Sequence, residues 1–199
     1  MVAAKKQNIF NSQSIDMEFG LILIDIQKGL DELDFYGGKR NNLDAESNCA
    51  KLLRAFRAKE YPIVFVQHDS TNPNSPLYPG QPGHSIKEEV APSPNELVFH
   101  KNVNSAFIGT DLQKWIHQSG VKKVVIVGLT TEHCISTSVR MSANLGFETI
   151  LINDATAAFQ KHLPDGTLID AEMVHQVELA NLRDEFAEII STTEMISRL

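Results

Sequence analysis

Six short apolar runs punctuate the chain: FGLILIDI (19–26), PIVFVQH (62–68), ELVFHK (96–101), VKKVVIVG (121–128), FETILIN (147–153) and FAEIIS (186–191). They are rich in β-branched residues and show little alternation, the pattern of strands buried on both faces. Between them the spacing changes to that of helices. Cys49, Leu52, Leu53 and Phe56 fall at i, i+3, i+4 and i+7, and Leu112, Trp115 and Ile116 repeat the stripe between a Thr110 cap and Gly120. Another helix is expected near 166–182 and a short one at the C-terminus. Such alternation predicts right-handed crossovers and a three-layer α/β/α, Rossmann-like fold around a six-stranded, mainly parallel sheet.

A chain of 199 residues without a break in composition reads as one domain over 1–199, with 1–18 as an extension ahead of the first run. The segment 69–96 holds six of the eight prolines and is too long for an ordinary connection. A binding loop, an interface arm and a mobile excursion are all compatible with it. The net charge of −7 disfavours nucleic-acid and acidic-membrane partners, leaving small molecules. No apolar run has signal-peptide or membrane-spanning length, so a cytoplasmic protein is expected. Two cysteines far apart form neither a disulfide framework nor a zinc motif, and each is judged separately.

Ligands of open α/β sheets bind beyond the carboxyl ends of the strands. There the first run ends in Asp25, the third in Lys101, and the fourth leads into Cys134. A carboxylate that ends a buried strand needs a cation or donors, and Lys101 is the nearest candidate by this topology. In GLTTEHC the strand stops at Gly128, Thr131 is a possible helix N-cap, Glu132 suits the first turn, and the helix then runs to Gly146. Cys134 in that first turn meets unpaired N–H groups that favour a thiolate and can cradle an oxyanion. Cys49 lies on an apolar helix face and is assigned to the core. His68, His100 and His133 also lie near strand ends or the helix start, and a Cys/His pair with His100 or His133 as base is the natural rival. Glu132 and Arg140 read as structural, and Asp154 as a cap for the segment after it.

The stretches LILIDIQKGL, HKNVNSAFIGTDL and VVIVGLTTEHCISTSVRMSANLGFETILINDATAAF resemble, in order and spacing, the Asp, Lys and Cys motifs of the isochorismatase-like cysteine hydrolases over roughly residues 19–195. The resemblance implies that family's fold, a homo-oligomer, a small-molecule substrate and an Asp25, Lys101 and Cys134 catalytic triad. It implies a cis peptide before Thr130 and an oxyanion hole from the Thr130 and Cys134 amides. Gln27 and Phe107 match positions that line the family's pocket. Cleavage of an amide, lactam or carbamoyl C–N bond through a thioester is implied by the cysteine, which members acting on isochorismate typically lack. Nicotinamidases carry an Asp-x-His metal motif after the second strand; here that place reads Asp69, Ser70, Thr71, which leaves His84 as one ligand of a broken set. No metal or other cofactor is therefore expected, and metal-assisted nicotinamidase activity is an alternative. QHDS and GLTTEHC are more similar to the metal-free amidohydrolases, streptothricin hydrolase-like proteins among them. A thiol redox protein, through a sulfenic acid, and a catalytically silent scaffold are the alternatives from other classes.

Overall fold

The computed structural model describes residues 17–199. Its elements in chain order are β1 (Met17–Ile24), α1 (Ala45–Ala58), β2 (Ile63–His68), β3 (Leu97–Lys101), α2 (Leu112–Ser119), β4 (Val121–Leu129), α3 (Ser136–Asn144), β5 (Glu148–Ala157), β6 (Lys161–His162), β7 (Leu168–Ile169), α4 (Ala171–Leu182), β8 (Glu188–Ile190) and α5 (Thr192–Arg198). The six apolar runs form one sheet in the order β3-β2-β1-β4-β5-β8, and every pairing within it is parallel. Alternate residues of each strand serve opposite faces. Leu21 and Leu23 pack with Leu52, Leu53 and Phe56 of α1 and Met195 of α5. Ile22 and Ile24 pack with Leu112, Ile116, Val139, Leu179 and Leu182 of α2, α3 and α4. Each such side chain, withdrawn from water, stabilises the fold by about 1.5–3 kcal/mol. Cys49 belongs to the first of these faces, with Sγ 3.2 Å from the Ala155 carbonyl, and burial raises the pKa of its thiol.

Several boundaries differ from the sequence expectations. Met17 and Glu18 belong to β1, so the expected extension over 1–18 is shorter at its end, and its first sixteen residues lie outside those described. The helix expected over 166–182 starts at Ala171, because Asp170 accepts from the Met173 N–H and caps it while Leu168–Ile169 pairs with Lys161–His162. Asp111 stands at the N-cap position of α2 without a side-chain cap, while Thr110 Oγ1 accepts from the Leu112 N–H at 3.4 Å and its hydroxyl donates to the Ala106 carbonyl at 2.6 Å. Asp154 caps no neighbouring segment but accepts from the N–H and the hydroxyl of Thr192, at the start of α5, both at 2.8 Å. The loop over 69–96 is folded against the domain. It makes 3-10 turns at Pro82–His84 and Glu88–Val90, buries Leu77 and Val90, and sends buried Lys87 to Glu46 and Asp31.

Strand order reverses between β1 and β4, which opens a crevice at their carboxyl ends. The backbones come unusually close there. Gly128 has φ +127°, and a Cβ at this position would sit 2.0 Å from the Ile24 carbonyl oxygen, so no other residue fits without a shift.

Candidate active site

At this crevice β1 ends at Ile24 and Asp25 turns the chain with φ +52°. The Asp25 N–H still reaches the Val66 carbonyl at 2.8 Å, but the Gln27 N–H turns back to the Asp25 carbonyl. β2 continues to His68 and would be left without a neighbour. The side-chain amide of Gln27 replaces the missing strand: its Oε1 accepts from the His68 N–H at 2.9 Å, and its Nε2 donates to the His68 carbonyl at 3.0 Å and the His84 carbonyl at 2.8 Å. Gln27 is fully buried and does not line the cavity described below, contrary to expectation, because its amide is consumed by backbone. Phe107 is likewise absent from that lining. It packs into the core beside Ile22 and Val66 and stacks with Phe147 at 6.2 Å.

Asp25, Lys101 and Cys134 come together although 109 residues separate the first from the last. The Lys101 ammonium, wholly buried, donates to Asp25 Oδ2 at 2.6 Å, to His68 Nδ1 at 3.1 Å and to Cys134 Sγ at 3.3 Å. All three of its N–H bonds are thereby used. Burial alone would lower the Lys101 pKa, yet the Asp25 and Cys134 charges outweigh it and the pKa is raised. An ammonium is donor only, so His68 must present an unprotonated Nδ1; burial and then Lys101 lower its pKa. Asp25 Oδ1 is buried without a hydrogen-bond partner.

Cys134 does not sit in an α-turn. Thr131–Ile135 forms a single π turn, and the Thr130 carbonyl accepts from the N–H groups of both His133 and Ile135. Thr130, preceded by a cis peptide bond, stands at the N-cap without a side-chain cap. Thr131 does not cap: its hydroxyl pairs with His175 Nδ1 at 2.9 Å in the buried layer beneath. The thiol differs from expectation too. Burial and then the Asp25 charge raise its pKa, and Lys101 only partly offsets them, a direction opposite to the one the helix start alone would give.

The cavity above the thiol has a volume of about 350 Å³. Asp25, His68, Thr130 and Cys134 form its floor, and Leu30, Tyr36, Ser75, Leu77, Asn104 and Phe159 are among its walls. Sequence reasoning assigned none of these walls to the pocket, although Leu30, Asn104 and Phe159 lie in the stretches that carry the family resemblance and Ser75 and Leu77 in the proline-rich loop. A wider cleft of about 540 Å³ lies elsewhere, but its Lys28, Arg40 and Lys87 are already paired with Glu88, Glu46 and Asp31, and it holds no nucleophile.

The other candidates have structural partners. His100, half-exposed, and His84 place a nitrogen 3.0 Å and 2.7 Å from Asp69 Oδ1. Burial would raise the Asp69 pKa, but the two imidazoles outweigh it and lower it. His84 is thus no lone ligand: Asp69, His84 and His100 bring donor atoms within 4.8 Å of one another, a set of the kind that could hold a divalent transition metal. His133 Nε2 faces Lys161 at 3.2 Å. Among the described residues no imidazole is hydrogen-bonded to Cys134 Sγ, which removes the support for a Cys/His pair. Arg140 pairs with Glu178 at 3.1 Å, and Glu132 accepts from the Phe159 N–H and pairs with Lys161.

The isochorismatase domain model matches residues 19–194, and the chain belongs to the isochorismatase family of hydrolases. The isochorismatase family protein YrdC of Bacillus subtilis (strain 168) is 45% identical, covering 89% of this chain and 94% of its own. The crystal structure of an isochorismatase-family protein from Chromobacterium violaceum superposes with a TM-score of 0.86 at 40% identity, covering 92% of this chain and 94% of that one. Streptothricin hydrolase of Streptomyces noursei is 28% identical over 70% of this chain and 54% of its own. None of the described helices is long and apolar enough to cross a membrane.

Proposed function

We propose that this protein hydrolyses a C–N bond of a small amide through a thioester on Cys134. The observation that carries the reading is the single buried ammonium of Lys101 touching both Asp25 and Cys134 beneath an open cavity. The maleamate amidohydrolase of Pseudomonas putida, 27% identical over 60% of this chain and 51% of its own, is named for amide cleavage and supports the choice of bond.

Asp25 is the base. Its free Oδ1 takes the thiol proton as sulfur bonds to the amide carbon, and the N–H groups of Thr130 and Cys134 hold the oxyanion that forms. The raised thiol pKa suits this coupling, because the charge appears on sulfur only as the bond forms. Asp25 then returns the proton to the leaving nitrogen, and the C–N bond breaks. Water attacks the thioester, giving its proton to Asp25; collapse releases the acid, and the proton passes back to sulfur. Lys101 keeps Asp25 and Cys134 in register throughout and is itself held by His68. The test is ammonia release from a panel of primary amides, with intact mass as a second readout. Wild type is expected to turn over a member of the panel and to gain the acyl mass, and Cys134→Ala to do neither. Turnover retained in Cys134→Ala refutes the mechanism.

A further inference from the structure

We propose that the cavity over Cys134 selects a small amide bearing a carboxylate at the end remote from the bond to be broken, with Lys161 as its cation and Tyr36 as a second donor. The proposal deepens, and rests on, the amide hydrolase reading of the same cavity. Three of the lining residues are linked to one another. Tyr36 and Phe159 stack with ring centroids 5.0 Å apart and planes 18° from parallel, and Lys161 follows Phe159 by two residues, all three lining the cavity. Leu30, Leu77 and Leu129 supply apolar surface for a short hydrocarbon link.

Two donors on this wall lack a full set of acceptors. Lys161 Nζ is ion-paired with Glu132 Oε1 at 3.1 Å and hydrogen-bonds to His133 Nε2 at 3.2 Å. An ammonium has three N–H groups, so these two contacts leave it donor capacity for a further acceptor while holding it in place. Glu132 is itself anchored by the Phe159 N–H at 3.3 Å, so the pair is fixed to the wall. The Tyr36 hydroxyl is buried without a well-formed hydrogen bond, the Ser75 side chain being its polar neighbour. Burial, and then the charges of Glu32, Asp25 and Cys134, raise its pKa, so it stays protonated as a donor. An unpaired buried hydroxyl is unfavourable unless a ligand brings the acceptor. A carboxylate offers two acceptor oxygens to two such donors, whereas an alkyl amide offers none at that end. Glu132 shares the ammonium, which limits the expected preference to about 10- to 100-fold.

The test uses a matched pair, succinamate and butyramide, in which a carboxylate replaces a methyl group on the same chain. Wild type is expected to favour succinamate by that factor in kcat/KM. Lys161→Met should remove most of the preference through KM, Lys161→Arg should keep it, and Tyr36→Phe should reduce it. Calorimetric binding of succinamate to Cys134→Ala reads the same contacts without turnover. Equal use of both amides by wild type, or a preference unchanged in Lys161→Met, overturns this inference and leaves the hydrolase standing. If neither amide is cleaved but Cys134→Ala binds succinamate in a Lys161-dependent way, the hydrolase reading fails and the carboxylate site stands. Absence of both turnover and binding overturns the inference.

Discussion

Gln27→Leu separates a framework residue from a substrate contact. Leucine is close to glutamine in size but brings no donor or acceptor. The substitution leaves the N–H and the carbonyl of His68 without the partners at 2.9 Å and 3.0 Å that the amide supplies. The His84 carbonyl keeps a second donor, Gln67 Nε2 at 2.8 Å, and is not counted. Two buried backbone groups left unpaired at about 1–3 kcal/mol each predict a loss of about 2–6 kcal/mol. For a domain of this size each kcal/mol moves Tm by about 2–4 °C, so a fall of roughly 4–24 °C is expected in thermal denaturation followed by circular dichroism. Activity measured well below the transition should show a lower kcat, because the His68 ring that steadies Lys101 is no longer fixed, with KM changed little. A variant that melts with wild type and shows only a raised KM would refute the reasoning and return Gln27 to the pocket wall.

Glu46 bears on acid stability. Burial would raise its pKa, but Arg40 and Lys87, at 2.6 and 2.7 Å, outweigh that and lower it from 4.5. A carboxyl whose folded pKa lies below its unfolded one contributes stability that is present above about pH 4.5 and lost as pH falls through the folded value. Wild type should therefore lose Tm steeply below pH 4.5 and Glu46→Gln should lose less over the same range; identical profiles would contradict the assignment. The raised pKa of Cys134 predicts that its alkylation by iodoacetamide, followed by mass spectrometry, climbs steadily from pH 6 to 10. A plateau near neutrality would mean a resting thiolate.

The periodicity of the chain by itself determined the six strands, the helices between them and their parallel arrangement, because burial on both faces of a sheet needs continuous apolar runs whatever the neighbours are. Asp25, Lys101 and Cys134 were legible for a related reason: charged or reactive residues that end such runs stand out against them. Only the tertiary structure decided what these residues touch. The π turn, the stretch of β5 beyond residue 153 and the start of α4 at Ala171 depend on partners distant in sequence, such as His175 for Thr131 and Leu168–Ile169 for Lys161–His162. The role of Gln27 depends on β1 ending at Ile24 while β2 continues to His68, and the direction of the Cys134 pKa shift on burial that local helix electrostatics do not report. Tyr36 and Lys161 lie outside the motif stretches and follow no common spacing with them, since a cavity wall is assembled by packing from loops whose sequences obey no shared period.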